Sequence, residues 1–355
     1  MNIAEKILSV FFIISSVSVT FAAETPDVFY DDFSGLNLDT EKWLVSEKNW
    51  GGTVVENGIK VDYNGGVIAE NVHLRDGKLI FTGCGNLYEG AKRGINRNGT
   101  YRENGKRCGG AIATKDYFAS GSYEIYAKIS PKLGCCSAMW TFEYEEDYSG
   151  DDLKVTNHEI DIEFPGRNEN DDFSLSHCLC TTWVGEGEDE HKTASPYCGD
   201  QADGKFHTYR FDWHTGDENE VPRVEYYFDN KLVYTSYEYI PTNAGRLWLG
   251  LWFPRYWAGT PDFDTTNFEI DYLKITPFHE KGDKPQNESY PDDGWRKQNI
   301  LRGDVNGDNI VDIRDVIEAE KKNITSYLAA ADLNDDENTD SNDSRIILKS
   351  LLYKT

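Results

Sequence analysis

Basic residues are in short supply: 36 lysines and arginines face 62 aspartates and glutamates in 355 residues, a formal net charge of −26. No positive patch is available to neutralise phosphates, which argues against nucleic acid and against an anionic membrane as partners. Long apolar runs are missing too, since no segment after residue 21 approaches the roughly 18 continuous apolar residues of a spanning helix. The seven cysteines (Cys84, Cys108, Cys135, Cys136, Cys178, Cys180, Cys198) contain no pair of CxxC spacings, which excludes a zinc-ribbon type of metal site. Their odd number fixes no pairing, and disulfides and buried thiols both stay open at this point. Methionine occurs only twice, whereas aromatic residues make up 13% and glycine is frequent, a balance that suits strands and turns over a helical bundle.

The length fits one main domain with a small appendage. Residues 1–23 carry Lys6, an apolar stretch from Ile7 to Phe21 and small residues at Ala22 and Ala23. That layout predicts a secretory signal peptide and a secreted, extracellular, monomeric protein. From residue 24 to 278 short runs alternate apolar and polar residues, as in Gly121 to Ser130 and Val224 to Thr235, with turn residues between them. Period-2 alternation over many short runs predicts an all-β, two-sheet antiparallel sandwich, with Asp229 and Asn230 as a hairpin turn. Residues 279–299 are polar and turn-rich and read as a linker to a final domain at 300–355.

One strand stands out chemically. In the run His158 to Phe164, Glu159, Asp161 and Glu163 alternate with Ile160 and Ile162. An extended chain therefore puts three carboxylates on one face and both isoleucines in the core. Like charges stacked this way raise one another's pKa values, which suits acid/base work better than a solvated surface. Retaining glycoside hydrolysis uses such a pair, a nucleophile and a proton donor about 5 to 5.5 Å apart. Four residues of strand separate the Cα atoms of Glu159 and Glu163 by about 13 Å, so the side chains must lean together on a concave sheet.

The run Glu159-Ile-Asp-Ile-Glu163 resembles the active-site signature of glycoside hydrolase family 16, and Phe206 to Trp213, Val224 to Thr235 and Phe268 to Ile275 resemble that family's later strands in order. The resemblance implies a β-jelly roll with Glu159 as nucleophile, Glu163 as general acid/base and Asp161 between them. The short five-residue form is similar to that of 1,3-1,4-β-glucanases (lichenases) and xyloglucan-active members, which implies a β-glucan polysaccharide as substrate. A xyloglucan- or β-1,3-glucan-active enzyme and a non-catalytic glucan lectin are the rival readings. Asn157-His158 and Gly250 depart from the lichenase pattern, which bears on the subsite contacts. Trp252 and Trp257, in the segment matching the lichenase cleft edge, are candidates for stacking on sugar rings, as are Trp140 and Tyr144 on the strand before the acidic one. His177 is a further candidate for substrate contact, and Asp271 sits where the family places a structural calcium ligand.

The last domain contains an internal repeat, Asp304 to Asp315 and Asp332 to Asp343, offset by 28 residues. A calcium loop supplies oxygens from positions 1, 3, 5, 7, 9 and 12. Those positions hold Asp304, Asn306, Asp308, Ile310 (carbonyl), Asp312 and Asp315, then Asp332, Asn334, Asp336, Asn338 (carbonyl), Asp340 and Asp343. Each loop precedes one helical stretch, expected at Val316 to Asn323 and Ser344 to Tyr353. This arrangement resembles a type I dockerin, which implies two bound calcium ions, a cohesin domain of a scaffoldin as partner and assembly into a cellulosome. The resemblance assigns partner contacts to Ile313, Arg314, Ser341 and Asn342.

Overall fold

The computed structural model describes residues 27–352 apart from 36, 50–53, 57–58, 62–64, 91–93, 96–104, 148–153, 186–189, 255–256, 287–304, 306–310 and 323–340. The expected signal peptide, most of the linker and the calcium-loop positions Asp304, Asn306, Asp308, Ile310, Asp332, Asn334, Asp336, Asn338 and Asp340 lie outside the described residues. In chain order the strands begin with Phe29–Asp31 (β1), Trp43–Val45 (β2), Val54–Glu56 (β3), Ile59–Val61 (β4), Gly66–Val67 (β5), Val72–Leu74 (β6), Leu79–Cys84 (β7), Cys108–Thr114 (β8) and Gly121–Lys128 (β9). They continue with Cys136–Asp147 (β10), Lys154–Phe164 (β11), Leu179–Val184 (β12), His191–Ala194 (β13), His207–His214 (β14), Arg223–Phe228 (β15), Lys231–Ser236 (β16), Arg246–Trp252 (β17) and Thr265–Pro277 (β18). Two helices follow, Ile313–Lys322 (α1) and Ser341–Leu352 (α2).

The all-β expectation holds. One sheet runs β13-β12-β11-β10-β17-β8 with β2 on β8, and the other runs β7-β18-β9-β14-β15-β16. Cys84 of β7 pairs with Cys108 of β8, which joins the two into a nearly closed antiparallel sandwich. The alternation read from sequence has its physical counterpart in β9, β14 and β15, where buried and part-exposed residues alternate. Their buried faces meet the inner face of the first sheet, so that Tyr123, Phe211, Tyr226 and Phe268 pack with Ile112, Met139, Ile160, Ile162 and Leu249. Each such side chain contributes about 1.5–3 kcal/mol relative to an exposed position. Asp229 and Asn230 both adopt positive φ, 46° and 62°, as a two-residue turn between β15 and β16 requires.

Strand β8 and most of β17 are buried on both faces, because the first sheet carries a second apolar layer on its outer side. That layer contains Val67, Ala111, Ala113, Cys136, Ala138, Trp140 and Trp248, edged by Phe142, Trp252 and Trp257. All seven cysteines are free thiols, six of them buried, which decides the question left open by their spacing.

In the C-terminal segment α1 and α2 share a small core of Val305, Ala319 and Ile347. Both helices begin three residues earlier than the apolar pattern suggested, at Ile313 and Ser341. The last three loop positions thus form the first helical turn, and Asp315 and Asp343 stand there as acidic residues favoured by the helix dipole.

Candidate active site

Pairing registers place the three carboxylates in a grid. Along β11, Glu159 lies opposite Phe142 of β10 and Trp183 of β12, Asp161 opposite Trp140 and Thr181, and Glu163 opposite Ala138 and Leu179. The row through Asp161 continues across β10 to Trp248, and the row through Glu163 continues to Gly250 and Ala111. The rows differ in bulk. Trp140 and Trp248 stack at 5.7 Å, whereas beside Glu163 the row is made of the small, buried residues Ala138, Gly250 and Ala111. Packing is tight at Gly250, because a Cβ there would lie 2.9 Å from the Ala111 Cβ. The glycine that departs from the lichenase pattern is therefore required by close strand packing.

Ile160 and Ile162 are 0% and 2% exposed in the inter-sheet core, and the carboxylates occupy the opposite face as the alternation predicted. Glu159 and Glu163 are part-buried, and Asp161 is buried between them. Burial raises the pKa of Glu159, while three neighbours act the other way: the Asn157 amide, a hydrogen bond from Asp161 and the charge of Lys48. Asn157 Nδ2 donates to Glu159 Oε2 at 2.5 Å. Burial, followed by the charges of Glu159 and Glu163, pushes Asp161 well above the carboxylate range, which keeps it a proton donor to Glu159; the Trp183 indole in turn donates to Asp161. Glu163 is pushed up to about 8 by burial first and by the Glu159 charge second. Both outer carboxyls are thus raised by burial, but their neighbours differ: three act to lower Glu159, whereas the Glu159 charge raises Glu163 further.

Beside Glu163 opens a cavity of about 470 Å³, lined by Arg167, Thr181, Trp183, His191 and Trp257 among others. Of the expected sugar contacts, Trp257 reaches this cavity and meets Trp252 edge to face at 5.7 Å. Trp140 is 5% exposed and stacks on its cross-strand neighbour Trp248, which leaves little of its ring face free. Tyr144 stacks on Phe142 at 5.9 Å at the Glu159 end. His177 lies beyond Leu179, hydrogen-bonded to Ser176 Oγ at 3.2 Å and packed against Tyr197, outside the residues lining the cavity. Sequence reasoning missed Trp183, His191 stacked on it at 4.0 Å, and Lys48. Trp183 shares the two-residue spacing of Leu179 and Thr181, which could have flagged it. Lys48 gave no signal: a bridge to Val67 delivers it from the N-terminal part, with its Nζ 4.8 Å from the Trp248 ring. Gly66, at φ 71°, makes room for the Lys48 carbonyl where any side chain would collide.

Asp271 is the extra residue of a bulge in β18, between Ile270 and Tyr272. Among the described residues the acidic and histidine side chains close enough to share a cation are His214, Glu220 and Glu280, and Asp271 is not among them. Of the calcium-loop residues described, Asp315 accepts from the Val305 and Asp312 backbone amides at 2.8 Å, and Asp343 is fully buried. Asp312 pairs with Arg314 at 2.7 Å. Of the assigned partner contacts, Ile313 and Asn342 are exposed, Arg314 is ion-paired and Ser341 is half-buried.

A sequence profile of glycosyl hydrolases family 16 matches residues 86–274, just over half the chain. The chain is 30% identical over 213 residues to a Beta-glucanase of Acetivibrio thermocellus, and the match spans 58% of each sequence. It is 28% identical over 260 residues to the Endo-1,3-1,4-beta-glycanase ExoK of Rhizobium meliloti, 70% of this chain and 78% of that one. The laminarinase catalytic domain from Thermotoga maritima superposes with a TM-score of 0.51 at 18% identity, over 71% of this chain and 98% of that one, a likeness of fold. With the acidic strand, the sandwich and the profile in agreement, the chain belongs to glycosyl hydrolases family 16.

Proposed function

We propose that the chain is a retaining endo-β-glucanase that cleaves plant cell-wall β-1,3-1,4-glucan. The observation that carries this reading is the pair of carboxyls on one strand face with different neighbours, Glu159 accepting hydrogen bonds from Asn157 and Asp161 and Glu163 holding its proton to about 8. In the first step the Glu159 carboxylate attacks the anomeric carbon while Glu163 gives its proton to the departing glycosidic oxygen, forming a glycosyl ester. In the second, Glu163, now a carboxylate, takes a proton from water as the water oxygen displaces Glu159, and both groups return to their starting states. Asp161 holds a proton against Glu159 and releases part of that hydrogen bond as the nucleophile's charge is consumed. The choice of 1,3-1,4-glucan rests on the short five-residue signature and on relatives named as β-glucanases.

The test is reducing-end release from barley mixed-linkage glucan, laminarin and xyloglucan, beside Glu159→Gln. Release from the barley glucan that is lost in the variant supports the reading. Release from another glucan alone moves the substrate, and binding without release replaces the enzyme with a lectin.

The C-terminal segment fits a docking module. Burying Asp315 and Asp343 costs folding energy that a bound cation offsets, so Asp312 and Asp315 would serve one calcium ion and Asp343 the second. Calcium there would order the loops, presenting the first turns of α1 and α2 to a cohesin on an extracellular scaffold. Loss of cohesin binding on chelation, restored by calcium and not by magnesium, is the expected result; binding indifferent to chelation would refute it.

A further inference from the structure

Glu163 has a neighbour for which the hydrolysis above has no use. Cys136 opens β10 on the same face as Ala138 and Trp140, opposite Trp252, and is 0% exposed. Its Sγ lies 3.6 Å from Glu163 Oε1 and 3.9 Å from the Ser137 carbonyl oxygen. A thiol has one proton to give, and the carboxyl is both nearer and, when ionised, the stronger acceptor. Burial first, and the Glu163 charge next, push the Cys136 thiol well above its usual range, so it stays a neutral S–H donor throughout the working range of a glycosidase.

We propose that Cys136 is a positioning residue for the acid/base carboxyl: its thiol donates to Glu163 Oε1, fixes the direction of that side chain and sets how tightly the proton is held. The inference rests on the reading of Glu163 as the acid/base group. The site asks for two properties at once. The side chain must sit in an apolar layer with Val67, Ala111, Ala138 and Trp248, which a thiol does at little desolvation cost. It must also offer a donor, but a weak one, because a strong donor would stabilise the Glu163 anion and strip the acid of its proton. A hydroxyl would overshoot, and a methyl would leave the carboxylate without this partner. The other titratable or charged groups facing Glu163 are Glu159 and Asp161 on its own strand, Arg167 and Glu169 after it, Cys178 before β12 and His191 on β13. Changing Cys136 leaves all of them in place.

The experiment is the pH profile of kcat/KM on barley glucan for the full chain, Cys136→Ala and Cys136→Ser. The basic limb reports deprotonation of Glu163. Removing a donor to the anion raises the limb, by about half a pH unit in Cys136→Ala for a weak hydrogen bond. The stronger donor of Cys136→Ser lowers it by a similar amount, while the acidic limb, set by Glu159, stays in place. Limbs identical to wild type in both variants, whatever happens to kcat, would reduce Cys136 to a spacer and overturn the proposal. If Cys136→Ala does not fold, the nearly isosteric serine variant decides alone, and its limb must fall. Glu163→Gln with an activated aryl glucoside separates the two readings: that variant should keep turnover on the activated substrate and lose it on glucan. Full activity of Glu163→Gln on glucan would sink the acid/base reading itself; a normal response there with unmoved Cys136 limbs would sink only the thiol.

Discussion

Replacing Glu159 with glutamine should let Glu163 give up its proton roughly two pH units earlier. The carboxyl is held at about 8 by burial and the Glu159 charge, against a lowering hydrogen bond from Cys136. Only the Glu159 charge is removed by Glu159→Gln, which is nearly isosteric. At the roughly 5.5 Å spacing of a retaining pair and an effective dielectric of about 20, Coulomb's law gives about 3 kcal/mol, or roughly two pKa units. Glu163 should then titrate near 6, the remaining elevation being burial less the opposing hydrogen bond from Cys136. Carbon-13 NMR with glutamate labelled at Cδ follows it between pH 4 and 10 and keeps aspartates out of the spectrum, so Asp161 does not interfere. A Glu163 that still titrates near 8 in the variant would mean that burial alone holds the proton, and the coupled design would be wrong. The size of the fall matters for turnover. Esterification of Glu159 in the intermediate also removes its charge, so the same drop would convert Glu163 from acid to base between the two steps.

Glu163 also carries a stability consequence. Its folded pKa lies above the ordinary 4.5, so its contribution is fully present below pH 4.5 and is lost as pH rises through about 8. Glu163→Gln should therefore raise Tm by a few degrees at pH 8 and leave it unchanged at pH 4; equal shifts at both pH values in calorimetry would contradict the assignment. The Lys48 charge lowers the pKa of Glu159. Lys48→Met should move the acidic limb of kcat/KM upward by a fraction of a unit, more at low salt than at high, and a salt-independent limb would show that Lys48 acts by packing alone. Gly250→Val should cost about 1–3 kcal/mol in urea unfolding, because the new side chain meets the Ala111 Cβ at van der Waals overlap. An unchanged midpoint would show that β8 and β17 can part.

The sandwich and the face occupied by Glu159, Asp161 and Glu163 were legible because strand periodicity assigns each residue to one side of a sheet. Periodicity does not say which residues lie across from one another, and the site depends on that. The row of small residues beside Glu163 exists because β10 pairs with β11 on one side and β17 on the other, bringing Ala138, Gly250 and Ala111 into line. Trp183 reaches Asp161 and Lys48 reaches over Trp248 for the same reason, through pairing partners distant in sequence. Trp140 was assigned to the correct face, and the register sets it beside Trp248, where it is 5% exposed. The proposed calcium loops are a reading from spacing alone, since most of their positions lie outside the described residues. Local chemistry can be read from spacing, while chemistry shared between strands requires the register. In the proposed mechanism the acidic strand would supply the reacting groups by itself, and its neighbours would set their proton affinities. On that proposal, variation in those neighbours, Cys136 and Lys48 among them, would retune the pH range of the reaction without touching the reacting carboxyls.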